Sequence, residues 1–266
     1  MTIPFCKAHG AGNDFLLTWA NQSPASPEIA RAICDRHTGI GADGWILVDR
    51  SPSIRIFNSD GSEPEISGNG TRCAAAFLIQ HGAATGDMII RTGAGEKHLR
   101  LLDRKGMLFS FEMNMGIPHI QAETFLLRLS TGVLDVTLVD VGNPQCAVPV
   151  NDFEFDWRSA GAEIEGHGHF PKRTNVSFFR IVDDHTMEVR FFERGAGETM
   201  SSGTGSTGAA AAAICRSLVK SPVRVLTPAG PLDIRSNGDL HLTGPAEITA
   251  EGVFHYKAEA IPAVRK

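Results

Sequence analysis

The chain has 266 residues, 42% hydrophobic and 21% charged, an ordinary globular composition with length for one large domain or two smaller ones. A net charge of −5, from 25 basic and 30 acidic residues, argues against the concentrated basic footprint of a nucleic-acid-binding protein. The five cysteines are odd in number, widely spaced and lack a C-x-x-C pair, which argues against a disulfide framework or a structural zinc site.

Turn signals begin early, at Gly10-Ala11-Gly12-Asn13. Pro27 to Arg36 reads as a helix, with Ser26 as its cap and proline at its first position. Ser53 to Phe57 alternates like a half-buried strand and runs into the turn Asn58-Ser59-Asp60-Gly61. A second helix is expected over Asn69 to Gln80. Leu134 to Val141 reads as a strand, followed by the turn Gly142-Asn143-Pro144. Met187 to Phe191 is another alternating strand. Gly205 to Ser217 is an alanine-rich helix, since alanine is the best helix former. Ser236-Asn237-Gly238 marks a late turn. Many short strands with few helices predict an α/β (α+β) fold. The N-terminus lacks the apolar core of a signal peptide, and the longest apolar run, Ala209 to Cys215, is far below the roughly 20 residues of a membrane span. A soluble, cytoplasmic protein is expected.

The most informative pattern is an internal repeat. Arg55, Phe57, Glu63, Ser67, Gly68 and Gly70 meet Arg190, Phe192, Glu198, Ser202, Gly203 and Gly205 at an offset of 190 − 55 = 135. Ala74 to Ala76 meet Ala209 to Ala211 at the same offset. Each copy reads strand, polar turn, Ser-Gly-x-Gly, apolar helix. Two similar lobes with a ligand cleft between them are expected. A glycine-rich turn opening a helix exposes backbone N–H groups and the positive end of the helix dipole, a site for carboxylate or phosphate. The competing reading is that the glycines only permit close packing of the lobes. Asn13, Asn58, Asn143, Asn175, Glu193, Arg194 and Thr204 cluster in loops that could line the cleft. Each asparagine, taken alone, reads as a turn residue tolerant of left-handed backbone.

Several motifs, in order and spanning nearly the whole chain, resemble those of the diaminopimelate epimerase family. They are His9-Gly-Ala-Gly-Asn-Asp-Phe15, Asp35 to Gly44, Phe57 to Glu63, Gly68-Asn-Gly-Thr-Arg72, Gly142-Asn-Pro144, Arg173-Thr-Asn-Val176, Glu193 to Thr199 and Gly203-Thr-Gly205. The resemblance implies two pseudo-symmetric lobes, each a mostly antiparallel curled sheet around a central helix. It implies lobes at 1–115 and 116–248, with 249–266 returning to the first. It also implies an isomerase that uses neither pyridoxal nor metal, and inverts one α-carbon of diaminopimelate on the route to lysine and peptidoglycan. A homodimer is implied too. By the resemblance, Gly68, Asn69, Gly203 and Thr204 would hold the reacting carboxylate. Asn13, Asn58, Asn143, Asn175 and Arg194 would read the distal end, and Glu193 would stand beside the reacting centre.

The chain departs from the family at its acid/base positions. The cysteine before Gly-Asn-Gly is Ser67 here, and the cysteine before Gly-Thr-Gly is Ser202. Cys73 lies in the following helix, at a non-catalytic position. A thiol has a pKa of ~8.5, whereas an unactivated alcohol lies near water at ~15.7. At ~1.4 kcal/mol per unit, serine alone is a poor base for an α-proton. The family's histidine after Gly-Asn-Pro is Gln145. An engineered double substitution would have no need of that third change, which favours natural divergence. Three readings stay open: the family reaction with serines at the acid/base positions, a diverged isomerase or lyase using Glu193 (or, less favoured, Glu63 or Asp60) as base, and a non-catalytic amino-acid-binding protein. His37 reads as a loop-ordering residue. His167 and His169 read as a solvated loop, since nothing nearby completes a metal site.

Overall fold

The computed structural model describes residues 1–257. Its first half contains β1 (Thr2–Gly10), β2 (Asn13–Trp19), α1 (Pro27–Cys34), β3 (Gly44–Asp49), β4 (Ser53–Asn58), α2 (Gly68–Gln80), β5 (Met88–Thr92), β6 (Gly95–Lys105) and β7 (Leu108–Gly116). The second half contains β8 (His119–Leu129), β9 (Gly132–Asp140), β10 (Pro144–Pro149), α3 (Trp157–Glu165), β11 (Asn175–Asp183), β12 (Thr186–Glu193) and β13 (Gly197–Thr199). It ends with α4 (Gly203–Cys215), β14 (Val223–Thr227), β15 (Gly230–Ser236) and β16 (Leu240–His255). Among the described residues, no helix is long and apolar enough to cross a membrane.

The repeat in the sequence is a repeat in strand pairing. The first half runs β1-β2-β3-β4-β5-β6-β7, with β2–β3 and β4–β5 parallel and the other neighbours antiparallel. The second half follows the same pattern along β9-β10-β11-β12-β14-β15-β16, with β10–β11 and β12–β14 parallel. β16 stitches the halves together. Its first part pairs with β15 and β7, and from Glu247 to His255 it pairs with β1. Of the segment 249–266, residues up to His255 lie on this strand beside β1, and residues 258–266 lie outside the described residues.

Each half of the single 16-stranded sheet packs around one helix. In α2 every residue from Gly68 to Leu78 is buried, and in α4 every residue from Gly203 to Ala213. A helix enclosed on all sides needs small side chains where strands close in, which accounts for Ala74–Ala76 and Ala209–Ala213. Both helices are capped alike. Ser67 and Ser202 have extended backbone, and their hydroxyls accept from the N–H of Gly70 and Gly205 at 3.1 and 3.0 Å.

Several elements differ from expectation. α1 ends at Cys34, before Arg36, because Asp35 turns extended and its carboxylate accepts from the N–H groups of His37 and Thr38 at 2.9 and 2.6 Å. Asp35, not the His37 ring, orders that loop. α4 begins two residues earlier than expected, at the capped Gly203, and ends at Cys215; β9 is shifted to Gly132–Asp140. α3 was not expected. Asp156 caps it through the Ser159 N–H at 3.0 Å. Its internal Gly161 hides the helical signal, yet a Cβ there would stand 2.8 Å from the Phe192 Cβ, so close packing on β12 demands glycine.

Candidate active site

The cleft forms where the two central helices meet tip to tip. A Cβ on Gly68 would lie 3.1 Å from the Gly203 Cα, and one on Gly203 would lie 3.0 Å from the Gly68 Cα. A side chain at either position would press on the opposing backbone, which would have to give by a few tenths of an ångström. The glycines let the halves touch, and two helix N-termini face one cavity of about 520 Å³. The leading N–H groups of an α-helix lack intrahelical partners, and the helix dipole adds positive potential. A carboxylate placed there meets donors from both halves. Arg72 reinforces this potential from beneath. It is fully buried and donates to the Gly68 carbonyl at 3.2 Å, the Asn69 Oδ1 at 2.5 Å and the Pro245 carbonyl at 3.1 Å.

All twelve site residues expected from the sequence line this cavity: Ser67, Ser202 and Glu193; Gly68, Asn69, Gly203 and Thr204; Asn13, Asn58, Asn143, Asn175 and Arg194. The asparagines are not there for left-handed backbone. Among the described residues, the non-glycine positions with positive φ are Ala11, Arg173 and Ser217. The amides are instead spent on fixing the walls. Asn69 donates to the Asn13 Oδ1 and, across the halves, to the Ser201 carbonyl, both at 3.2 Å. Asn13 in turn donates to Asp43 at 2.7 Å. Asn143 donates to the Thr204 hydroxyl at 3.4 Å and accepts from Gln145 at 2.7 Å. Asn175 accepts from the Arg194 N–H at 3.1 Å and donates to the Pro144 carbonyl at 3.0 Å. Asn58 donates to the Ser62 hydroxyl at 3.0 Å.

The two serines have unequal surroundings. Ser202 donates to the Glu193 Oε1 at 2.7 Å, and Thr199 donates to the Glu193 Oε2 at 2.7 Å. Removal from water raises the Glu193 pKa above its ordinary value, and the hydroxyl hydrogen bonds from Ser202 and Thr199 offset only part of that rise. The Ser67 hydroxyl accepts from Gly70, with no carboxylate beside it among the described hydrogen bonds. At the 135-residue offset, the counterpart of Glu193 is Asn58. One wall thus carries a hydroxyl–carboxylate pair and the other an unassisted hydroxyl.

The other candidates are committed elsewhere. Glu63 forms a two-point ion pair with Arg55 at 2.6 and 2.7 Å. Asp60 accepts from the backbone and hydroxyl of Ser62 in its own turn, at 2.8 and 2.5 Å. Cys73 lies in the core inside α2, where burial pushes its thiol up to about 12. His167 and His169 lie in a loop as expected; the half-buried His167 meets the Arg128 carbonyl at 3.1 Å, and the exposed His169 packs one face on Phe125 and Phe170.

Some lining residues were not singled out from the sequence. Asp43 pairs with Arg36 at 2.8 Å, Thr199 holds Glu193, and Glu65 pairs with Arg194. The repeat offers no hint of Thr199, whose counterpart is Pro64, and nothing in the local pattern distinguishes Glu65 from a solvated loop carboxylate.

A family model described as diaminopimelate epimerase matches residues 5–120 and 137–249. A diaminopimelate epimerase of Pelotomaculum thermopropionicum is 37% identical, over 95% of this chain and 99% of its own. One from Moorella thermoacetica is 38% identical, over 94% and 98%. Among solved structures, a hydroxyproline epimerase from Agrobacterium vitis matches with a TM-score of 0.74 over 95% of this chain and 92% of its own. A methylitaconate-delta-isomerase matches at 0.66 over 98% and 99%. At 15% and 14% identity, these two establish the fold alone.

Proposed function

Because the chain belongs to the diaminopimelate epimerase family, we propose that it is a cofactor-independent isomerase of an α-amino acid of the diaminopimelate type, working with serines where the family has cysteines. The observation that carries this reading is the meeting of two serine-capped helix N-termini at Gly68 and Gly203, with Glu193 hydrogen-bonded to Ser202 at 2.7 Å. The α-carboxylate sits across the two N-termini. Their N–H groups stabilise the charge that spreads onto that carboxylate when the α-proton leaves. The α-proton passes to the Ser202 oxygen as the Ser202 proton passes to the Glu193 carboxylate, so Glu193 is the net base. Ser67 delivers its hydroxyl proton to the α-carbon from the other side, and the cycle closes as water carries the proton from Glu193 back to the Ser67 alkoxide. Asn13, Asn58, Asn143, Asn175 and Arg194 shape the part of the cleft that receives the side chain.

A second reading is favoured by the asymmetry of the walls. With a carboxylate beside Ser202 and none beside Ser67, Glu193 alone serves an isomerisation or elimination that uses a single face. Turnover that is lost in Glu193→Gln but kept in Ser67→Ala supports this second reading; loss in both supports the first. Conversion of LL- to meso-diaminopimelate, followed by chiral chromatography, tests the substrate. The double variant Ser67→Cys with Ser202→Cys is expected to convert it at least tenfold faster than the wild type, since each restored thiol has a pKa near ~8.5. No conversion by either protein, with diaminopimelate bound, would leave the non-catalytic binding reading in its place. With the first reading go a cytoplasmic place in lysine and peptidoglycan-precursor synthesis and a homodimeric state, which light scattering checks.

A further inference from the structure

Arg194 is already occupied. Its guanidinium forms an ion pair with Glu65, which lies 129 residues away in the other half of the chain and also lines the cleft. The arginine is held for this contact. Its backbone N–H donates to Asn175 at 3.1 Å, and its Nη1 donates to the Lys172 carbonyl at 3.3 Å. The side chain of Arg194 is 20% exposed and that of Glu65 is 47% exposed, so the pair sits at the open side of the cavity. The remaining cleft arginines are likewise engaged, Arg36 with Asp14 and Asp43, and Arg173 with Glu165.

Resting on the amino-acid reading above, we propose that Glu65 is a specificity-determining residue that competes with a ligand's distal carboxylate for Arg194. A guanidinium bound to one carboxylate offers a second one fewer free donors and a smaller net field. A ligand with a carboxylate at each end must displace Glu65 or bind beside it. A ligand ending in an amine alone meets no such competition, and Glu65 attracts it. The cleft therefore discriminates less strongly in favour of dicarboxylic amino acids than its arginine suggests. The pair also ties the two halves at the cleft mouth, so displacing Glu65 removes a contact between them.

Diaminopimelate and L-lysine differ by one distal carboxylate, so their affinity ratio reads this competition. We would measure binding of an equilibrated LL/meso mixture and of L-lysine by calorimetry. The proteins would be the wild type, Glu65→Gln, Arg194→Gln and the double variant. Glu65→Gln is expected to raise the diaminopimelate-to-lysine affinity ratio about tenfold. In the Arg194→Gln background the same change is expected to shift the ratio less than twofold. Equal shifts for both ligands in Glu65→Gln, or an undiminished effect without Arg194, would overturn the inference. Failure of both ligands to bind any of the four proteins would sink the amino-acid reading itself.

Discussion

Removal of Glu193 from water raises its pKa even though Ser202 and Thr199 each donate it a hydrogen bond. The folded protein therefore favours the protonated carboxyl relative to the unfolded chain, whose value is near 4.5. The stabilising contribution of that preference is fully present below the unfolded value and is lost as pH rises through the higher folded value. As pH rises above that unfolded value, the buried Glu193 carboxyl therefore weakens the fold. Glu193→Gln is expected to melt higher than the wild type at pH 7, with the difference vanishing below about pH 4.5. Wild-type turnover is expected to rise with pH as Glu193 ionises, and the variant should lose that limb along with at least 100-fold in rate, the usual worth of a general base. Paired melting curves and pH–rate profiles check both. At this scale the sequence was informative about which residues line the cleft and poor on what each side chain does. Asn69 and Asn175 are recognisable by motif, but their bonds to Ser201 and Pro144 join segments far apart in the chain, which no local pattern encodes.

The elements around the cleft give each serine a structural job, apart from the catalytic one proposed for it. Ser67 and Ser202 are the caps of α2 and α4, and serine is among the favoured capping residues, whereas cysteine is not one of them. Ser67→Ala and Ser202→Ala are each expected to lose about 1 kcal/mol of stability by denaturant titration, independent of any effect on turnover. Activity lost in these variants must therefore be read beside their stability. Elements with a capping signal and a compositional bias were legible: α1 from Ser26 and Pro27, and α4 from its alanines. α3 was not, because Gly161 weakens its local propensity and is required only by Phe192 on a neighbouring strand. The end of α1 was misjudged for a similar reason, since the Asp35 carboxylate competes for the backbone that a longer helix would use.

Across the whole molecule, the 135-residue repeat was the strongest signal in the sequence, and it appears in the structure as two identical runs of parallel and antiparallel pairings. What the repeat could not show is the joining. β16 runs from β15 and β7 on to β1, and the tips of α2 and α4 touch at backbone distance. Halves joined by a shared strand and a shared floor should unfold together. Fluorescence of Trp19 and Trp45 in the first half and of Trp157 in the second, isolated by Trp→Phe substitutions, is expected to report one coincident urea transition. Separate midpoints would mean that the halves are independent.

The same joining places both serines, both helix ends and Glu193 around one cavity, and the central claim is that this cleft moves an α-proton through Glu193. Incubation of LL-diaminopimelate in D₂O, with the α-proton signal followed by NMR, tests it most directly. The account predicts that the wild-type protein washes out the α-proton and that Glu193→Gln does so at least 100-fold more slowly. Undiminished exchange in Glu193→Gln, or none by the wild type at ligand-saturating concentration, would contradict it.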